Sequence, residues 1–307
     1  MRSQVVTTLS QGVENRYSIS ALCVLFGFSR QGYYKHREMD DERNVLISSI
    51  VLFCCHLREA ENLPKAGCRE LFELCQQYFG ERFILGRDQF FRILRENGLM
   101  LRRARYRPRT TNSNHNYHIY PDLLNTTPKL RITANGKLVV GDITYIRLKN
   151  NDFAYLSVLT DAYSRVIVGY SLHETLKTIG PLESLNQALK FYKKHLINIE
   201  GLIHHSDRGI QYASGEYTKL LKEVGIRISM TQSGDPLHNA LAERMNNTLK
   251  NSWMFDNNEL TIEQARTAIH RAVLLYNTAR PHQALGMKTP MQLVDEKTVN
   301  PLFSNAC

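Results

Sequence analysis

Three carboxylates occupy positions from which they could act together. Asp142 stands at the centre of an apolar, β-branched run that predicts a buried strand, and Asp207 ends a second hydrophobic run. Glu243 lies about two turns inside a predicted helix, which Asp235 caps and Pro236 opens. Because an acid in an apolar strand is costly unless it is paired, hydrogen-bonded or bound to a metal, Asp142 indicates a functional site.

The chemistry of such a cluster follows from its donor atoms. Two strands that each carry an aspartate, followed by a helix that carries a glutamate, can bring together carboxylates that are remote in sequence. An all-oxygen site suits Mg²⁺, and two ions about 4 Å apart would hold both the attacking and the leaving oxygen of a phosphoryl transfer. Lys250 shares the helix face of Glu243. A carboxylate and a lysine on one face suit a site that holds a cation next to a polyanion. A solvated face is the alternative interpretation of that helix taken alone.

Basic charge is concentrated in one part of the chain. The net charge is +10, and residues 101–150 hold ten Lys and Arg against two Asp and Glu. The centre of this excess is an arginine tract, a pattern typical of a segment that follows a phosphate backbone. Its arginines are Arg102, Arg103, Arg105, Arg107 and Arg109. A flexible basic linker without a defined partner is the alternative.

Residues 17–37 predict a helix-turn-helix. A first helix runs over residues 18–25, Gly27 supplies the turn, and Ser29 caps a second helix over residues 30–37. In that second helix, four side chains are candidates to contact a DNA groove or phosphate: Arg30, Gln31, Lys35 and Arg37. An ordinary helical hairpin is the alternative that the local pattern leaves open.

A second helical unit follows, and a linker leads from it to an α/β region. Apolar spacing predicts helices around residues 45–53, 67–78 and 86–97. Residues 110–136 are rich in Asn, Thr and Pro and predict the linker.

The α/β region has its own sequence of predicted elements. Strands are predicted over residues 138–148, 153–160, 165–172 and 227–230, with another ending at Asp207, and helices over residues 181–195 and 214–224.

The region ends in a predicted helix that Thr261 and Gln264 begin as a capping box. Beyond it, Arg280 and His282 are candidates to hold DNA backbone or the Glu243 helix, with a purely structural role as the alternative.

Composition limits the class of protein. No apolar run approaches the length of about 20 residues that spans a membrane, and residues 1–20 lack the apolar core of a signal peptide. The six cysteines form no CxxC pair, which favours reduced thiols. We therefore expect a cytoplasmic protein.

Five motifs, in order, resemble a known family. VVGDITYI, AYLSVLTDAYSRVIVGYSL, HHSDRGIQYASGEY, SMTQSGDPLHNALAERMNNTLK and YNTARPHQALGMKTP are similar to segments of insertion-sequence-3 family transposases, in their second-frame (orfB) product. Asp142, Asp207 and Glu243 then resemble the DDE triad of transposases and retroviral-type integrases. The similarity extends over about residues 15–295.

The resemblance implies an α/β RNase H-like catalytic core, with a mixed five-stranded sheet and flanking helices, preceded by all-α helix-turn-helix units. The corresponding domain bounds are residues 1–40 for the helix-turn-helix and 41–109 for the second helical unit with its arginine tract. The linker takes residues 110–136, the core 137–255, and the C-terminal helix and tail 256–307.

The resemblance also implies a reaction. Asp142 would bridge two Mg²⁺ ions, for which Mn²⁺ can substitute, and Asp207 and Glu243 would each complete one site. Lys250 would position phosphate. The implied substrates are double-stranded DNA at terminal inverted repeats and at a target, joined by a copy-out, paste-in route through a circular intermediate. Implied partners are a second copy of the chain, in a dimer or higher oligomer on DNA, and an orfA segment fused by frameshifting, with the protein associated with a prokaryotic nucleoid.

Several departures and rival functions remain. The usual YGYRRI motif reads KAGCREL here, His238 replaces an Asp, and the Trp that often precedes the first catalytic Asp is absent. A general RNase H-like nuclease, a DNA-binding regulator with an idle catalytic domain, and an integrase of another mobile element are the rival interpretations.

Overall fold

The computed structural model describes residues 17–60, 66–101, 117–124, 131–149, 152–231 and 260–295, with residues 6, 8, 10 and 63. The chain divides into two compact units. The first comprises residues 1–56 and 84–99, and the second comprises residues 57–83 and 100–307. No helix in the described ranges combines the length and apolar character needed to cross a lipid bilayer.

The first unit begins with the two helices of the predicted helix-turn-helix. Helix α1 is Ile19–Phe26, and the Ser18 side chain caps it by accepting a hydrogen bond from the Ala21 amide at 3.2 Å. Gly27 has a φ of 73°, the left-handed conformation that reverses the chain at low cost for glycine. Buried side chains from both helices, Leu22, Cys23 and Tyr33, form a small core.

Helix α2 is Arg30–Glu59, a single helix of 30 residues. The sequence predicted two helices here, over residues 30–37 and 45–53, and that prediction is wrong. Apart from Met39, residues 38–44 are charged or polar, but they include good helix formers and no Gly or Pro, so nothing interrupts the backbone hydrogen bonds. The helix therefore continues through residue 40, where the sequence placed a domain boundary.

Two shorter helices follow. Helix α3 is Cys68–Phe79 and belongs to the second unit, whereas helix α4 is Arg87–Glu96 and belongs to the first. Helix α4 lies within the predicted range 86–97, and Gly98, with a φ of 70°, follows its end.

A mixed five-stranded sheet forms the centre of the second unit. Its strands, in the order β3-β2-β1-β4-β5, are β1 Leu138–Arg147, β2 Phe153–Asp161, β3 Ile167–His173, β4 Ile203–Ser206 and β5 Arg227–Met230. Strands β1, β2 and β3 form an antiparallel meander, and β4 and β5 run parallel to β1. The predicted RNase H-like fold class is confirmed.

Helices cover the sheet and supply the main core. They are α5 Ile179–Lys194, α6 Ile210–Ala213, α7 Gly215–Glu223 and α8 Ile262–Thr278. Helix α5 approaches β3 so closely that a Cβ on Gly169 would lie 1.9 Å from the Ser184 carbonyl oxygen. Fully buried tyrosines, Tyr192, Tyr212 and Tyr217, fill the space between helices and sheet.

The predicted capping box of α8 is confirmed. The Gln264 amide donates to Thr261 Oγ1 at 3.3 Å, and the Thr261 amide donates to Gln264 Oε1 at 2.9 Å. At the other end of the helix, the Asn277 side chain accepts from the Ile167 amide at 2.9 Å and donates to the Ile167 carbonyl at 3.0 Å. Asn277 therefore pairs with the backbone of β3, the edge strand of the sheet.

Candidate active site

Asp142 and Asp207 are brought to matching positions on neighbouring parallel strands. In the β1–β4 register Val140 lies opposite His205, so two residues further along each chain are Asp142 and Asp207. Side chains at matching positions of adjacent strands project to the same face of a sheet. Asp142 lies within β1, and Asp207 is the first residue after β4. The register alone therefore places the two carboxylates side by side where β4 ends.

Backbone amides orient both carboxylates. Asp142 Oδ1 accepts from the Ile143 amide at 2.9 Å, and Asp207 Oδ1 accepts from the Gly209 amide at 2.9 Å. A Cβ at Gly209 would lie only 2.9 Å from Asp207 Oδ1, so a side chain at this position would displace that carboxylate oxygen. Both aspartates are half-buried, which leaves them within reach of a substrate at the surface.

The third predicted carboxylate, Glu243, and Lys250 lie outside the described residues, as do the five arginines of the tract at residues 102–109. Among the residues that the structure describes, no group of three or more acidic, His or Cys side chains is arranged to hold a metal ion. The triad as a whole therefore stays a prediction. Two of its members, Asp142 and Asp207, occupy matching positions in the register of β1 and β4.

The predicted DNA-contacting residues of the first unit lie on its surface. Arg30, Gln31, Lys35 and Arg37 are all exposed on α2, and the Arg30 guanidinium lies 5.8 Å from the centre of the Tyr34 ring. Their exposure leaves them accessible to a polyanion, and their contact with DNA stays a prediction.

Arg280, by contrast, is engaged inside the second unit. Its Nε and Nη2 both donate to Glu70 Oε1, at 3.1 and 2.7 Å, and only 13% and 21% of the two side chains is exposed. Glu70 belongs to α3, so the ion pair joins α3 to the segment that follows α8. The sequence prediction missed this partner, although Glu70 stands in the KAGCREL segment that departs from the family pattern.

His282 lies half-buried in the same region as this arginine. Its ring packs edge-to-face on Tyr276 with the ring centres 4.7 Å apart. Burial, followed by the charges of Arg280 and Arg165, lowers the pKa of His282 to about 3, so its imidazole is neutral. A neutral, half-buried imidazole contributes packing here, while the DNA contacts predicted for Arg280 and His282 remain predictions.

Other polar side chains near the sheet have structural partners. Asp161 is fully buried and accepts hydrogen bonds from the backbone amides of residues 136, 163 and 164 and from the hydroxyls of Ser164 and Tyr192. His205 Nδ1 lies 2.8 Å from Ser229 Oγ, and His204 Nε2 lies 2.9 Å from the Tyr217 hydroxyl. These groups stabilise the core on either side of the two candidate catalytic aspartates.

Comparison with known proteins agrees with this geometry. Two family models described as "Integrase core domain" match residues 133–236 and 224–290, and together they include all three predicted carboxylates. An uncharacterized 31 kDa protein of insertion element IS600 from Shigella sonnei is 32% identical over 277 residues, which make up 88% of this chain and 96% of that protein. The transposase of insertion sequence element IS904 from Lactococcus lactis is 34% identical over 194 residues, 63% of this chain and 74% of that protein.

Among solved structures, the HTLV-2 integrase catalytic core domain in complex with magnesium aligns with 53% of this chain and 99% of its own. The identity is 20% and the TM-score 0.41. The chain belongs to the insertion-sequence transposases that carry a DDE integrase core.

Proposed function

We propose that this protein cleaves the ends of its insertion sequence and joins them to new DNA by Mg²⁺-dependent phosphoryl transfer. The observation that carries the proposal is the register of β1 and β4, which gives Asp142 and Asp207 matching positions on one face of the sheet. Carboxylate oxygens are the donors that Mg²⁺ prefers, and Glu243 would complete the set. Bound there, the metal supplies Lewis-acid stabilisation of oxygen charge.

The residues of the chain orient the carboxylates and the DNA. The Ile143 and Gly209 amides each fix one carboxylate oxygen, so that Asp142 and Asp207 present their remaining donor atoms in a constant arrangement. Lys250, two turns beyond Glu243, would hold a phosphate oxygen of the DNA. Surface cations of the first unit and the arginine tract would keep the duplex in place.

The proposed reactions need no external energy source, because each bond to phosphorus that breaks is replaced by one that forms. In cleavage, a water oxygen forms a bond to phosphorus and the bond to the 3′ oxygen breaks, which leaves a free 3′-OH. In joining, that 3′-OH forms a bond to phosphorus in the target, and a target 3′-OH departs. One phosphodiester is lost and one is formed in the transfer, so the step needs neither ATP nor a covalent protein intermediate.

The five motifs support a narrower form of the proposal. They favour an insertion-sequence-3 type of element, whose copy-out, paste-in route passes through a circular intermediate. Such an element presents terminal inverted repeats, uses at least two copies of the chain to pair its ends, and fuses an orfA segment to this frame. Association with the nucleoid would follow from DNA binding.

The test is strand transfer on labelled DNA that carries the element's own ends, in Mg²⁺ and with the orfA segment supplied. Asp207→Asn and Glu243→Gln remove a ligating charge at nearly constant shape, and each is expected to abolish joining while DNA binding persists. Asp152→Asn, at an exposed aspartate in the turn between β1 and β2, is the matched control and is expected to retain full activity. Equal joining by Asp207→Asn and wild type would refute the proposal, and binding without joining by the wild type would favour the regulator instead.

A further inference from the structure

Part of the predicted linker, residues 120–124, lies against the sheet, and we call this segment the strap. Strand β5 is at the edge of the sheet, where it pairs with β4. The strap binds β5 at two points. The Met230 amide donates to the Pro121 carbonyl at 3.3 Å, and the Leu123 amide donates to Ser229 Oγ at 2.9 Å. The strap therefore supplies hydrogen-bond partners to an edge strand, as a further strand would.

The strap also packs on the face of the sheet that carries the two aspartates. Leu123 contacts a buried cluster that includes Val140 and Ile203. Val140 lies two residues before Asp142 on β1, and Ile203 lies four residues before Asp207. Because side chains alternate along a strand, residues separated by two or four positions project to the same face. The strap is thus on the catalytic side of the sheet.

Ser229 connects the strap to β4. It is fully buried, and in the register of β4 and β5 it lies opposite His205. Its hydroxyl oxygen accepts the bond from the Leu123 amide and lies 2.8 Å from His205 Nδ1. His205 is two residues before Asp207 and shares its face of the sheet. One hydroxyl group therefore joins the strap, β5 and the strand that leads to Asp207.

The residue that follows β5, Thr231, holds both chain neighbours of Asp207. The Thr231 amide donates to the Ser206 carbonyl at 3.1 Å, and the Thr231 carbonyl accepts from Arg208 Nε at 2.6 Å. Ser206 directly precedes Asp207, and Arg208 directly follows it. The position of Asp207 therefore depends on where β5 ends, and the strap binds β5 at the two residues before Thr231.

Strand lengths explain why this support matters for one aspartate more than for the other. Strands β4 and β5 have four residues each, so few backbone hydrogen bonds join them. Strand β1, which carries Asp142, has ten residues and lies between β2 and β4. The sheet alone holds Asp142, whereas Asp207 depends on a short strand at the edge.

We propose that the strap is a positioning element for Asp207, and that Ser229 is the positioning residue through which it acts. By holding the end of β5, the strap keeps Asp207 beside Asp142 in the arrangement that binds divalent metal. This inference rests on the proposed function, since it concerns the same site. The arginine tract ends shortly before the strap, so the part of the chain that is predicted to follow DNA leads into the support of Asp207.

The experiment is a Mg²⁺ titration of the full chain without DNA, read as the rise in thermal unfolding temperature. Ser229→Ala removes the hydroxyl that joins the three segments. The loss of one ordinary hydrogen bond changes an equilibrium constant about fivefold, so this variant is expected to raise the half-saturating Mg²⁺ concentration about fivefold. Leu123→Ala weakens the packing of the strap, leaves Ser229 in place, and is expected to shift the Mg²⁺ midpoint in the same direction.

Ser171→Ala is the matched control. Ser171 is a buried serine of β3, at the opposite edge of the sheet, and its hydroxyl donates to the Gly180 carbonyl at 2.6 Å. The variant loses one buried hydrogen bond, as Ser229→Ala does. It is expected to lower the unfolding temperature and to leave the Mg²⁺ midpoint unchanged.

Amide hydrogen exchange gives a readout of the docking itself. The amides of Leu123 and Met230 should be protected in the wild type and should exchange faster in Leu123→Ala, while the amides of β1 and β2 keep their protection. Unprotected Leu123 and Met230 amides in the wild type would overturn the inference.

The titration separates the inference from the proposed function. An unchanged Mg²⁺ midpoint in Ser229→Ala and Leu123→Ala, or an equal shift in Ser171→Ala, would overturn the inference while leaving the proposed function standing. Absence of any Mg²⁺ response in the wild type would overturn both.

Discussion

The ion pair between Glu70 and Arg280 joins parts of the chain that are 210 residues apart, and neutralising either partner tests what it contributes. Glu70→Gln and Arg280→Gln each leave the opposite charge in place. Glu70 Oε2 also accepts from the Gly67 amide at 3.1 Å, a bond that the glutamine oxygen can keep. The two single variants and the double variant therefore form a cycle that isolates the charge interaction.

The expected size follows from burial. Removing one partner of a fully buried pair costs about 3–5 kcal/mol, because the remaining charge has no solvent and no counterion. Here 13% of Arg280 and 21% of Glu70 is exposed, so water reaches part of the remaining charge. We expect each single variant to lose about 2–3 kcal/mol in the free energy of unfolding, and the double variant to lose little more than one of them.

Urea unfolding of the full chain gives the free energies, and a surface ion pair of this protein gives the control. Arg266 Nη1 lies 2.8 Å from Glu263 Oε1, as close as the buried pair, but 46% and 73% of these side chains is exposed. Arg266→Gln is expected to cost at most about 0.5 kcal/mol. The difference between the losses of unfolding free energy in Arg280→Gln and Arg266→Gln then measures the effect of burial, since the two N···O distances are nearly equal.

Two results would refute this reasoning. A coupling energy of about 0.5 kcal/mol or less would mean that the pair behaves as if it were on the surface. Loss of DNA binding in Arg280→Gln with unchanged stability would mean that the guanidinium serves the DNA, as the sequence alone allowed. Retained DNA binding with reduced stability would mean that Arg280 joins α3 to the segment that follows α8.

Two further perturbations follow from packing and from buried histidines. Gly169→Ala should destabilise the protein by about 1–3 kcal/mol, because its Cβ would lie 1.9 Å from the Ser184 carbonyl oxygen, whereas Gly215→Ala, which meets nothing within 4 Å, should be neutral in the same urea titration. The pKa of His204 and of His282 is lowered to about 3 in the folded protein, in each case first by burial, so the unfolded chain binds more protons as the pH falls below about 6.5. Stability should therefore fall between pH 6.5 and pH 5, by about 2 kcal/mol for each histidine, and a flat urea midpoint over that range would contradict their burial.

Local signals in the sequence predict most strands and helices of the second unit. Strand β5 matches its predicted residues, and β1 and β2 differ from theirs by one residue at one end, because β-branched and aromatic runs bounded by polar turns fit a pleated, half-buried surface. The capping box of α8 is equally local, since both partners lie within four residues. Asp142 stands out for a related reason, because it is a charge in an otherwise apolar strand, whereas Asp207 follows the last residue of β4.

Tertiary interactions account for what the sequence could not predict. Nothing in the local pattern around Glu70 identifies a partner more than two hundred residues away. Likewise, the sequence around Asp161 does not show that its carboxylate accepts a hydrogen bond from the Tyr192 hydroxyl, 31 residues further along the chain. In α2, the apolar spacing marked two separate helices, although the helix propensity of the residues between them is sufficient to continue one helix.

The two aspartates are held by different means, and this difference bears on how the site responds to change. Asp142 lies inside a ladder, paired with Val158 on β2, so its backbone position is fixed by the sheet. Asp207 lies one residue beyond the end of β4 and depends on the turn at Gly209 and on the helix that follows. The pair therefore combines one carboxylate that the sheet holds rigidly with one whose position the turn sets.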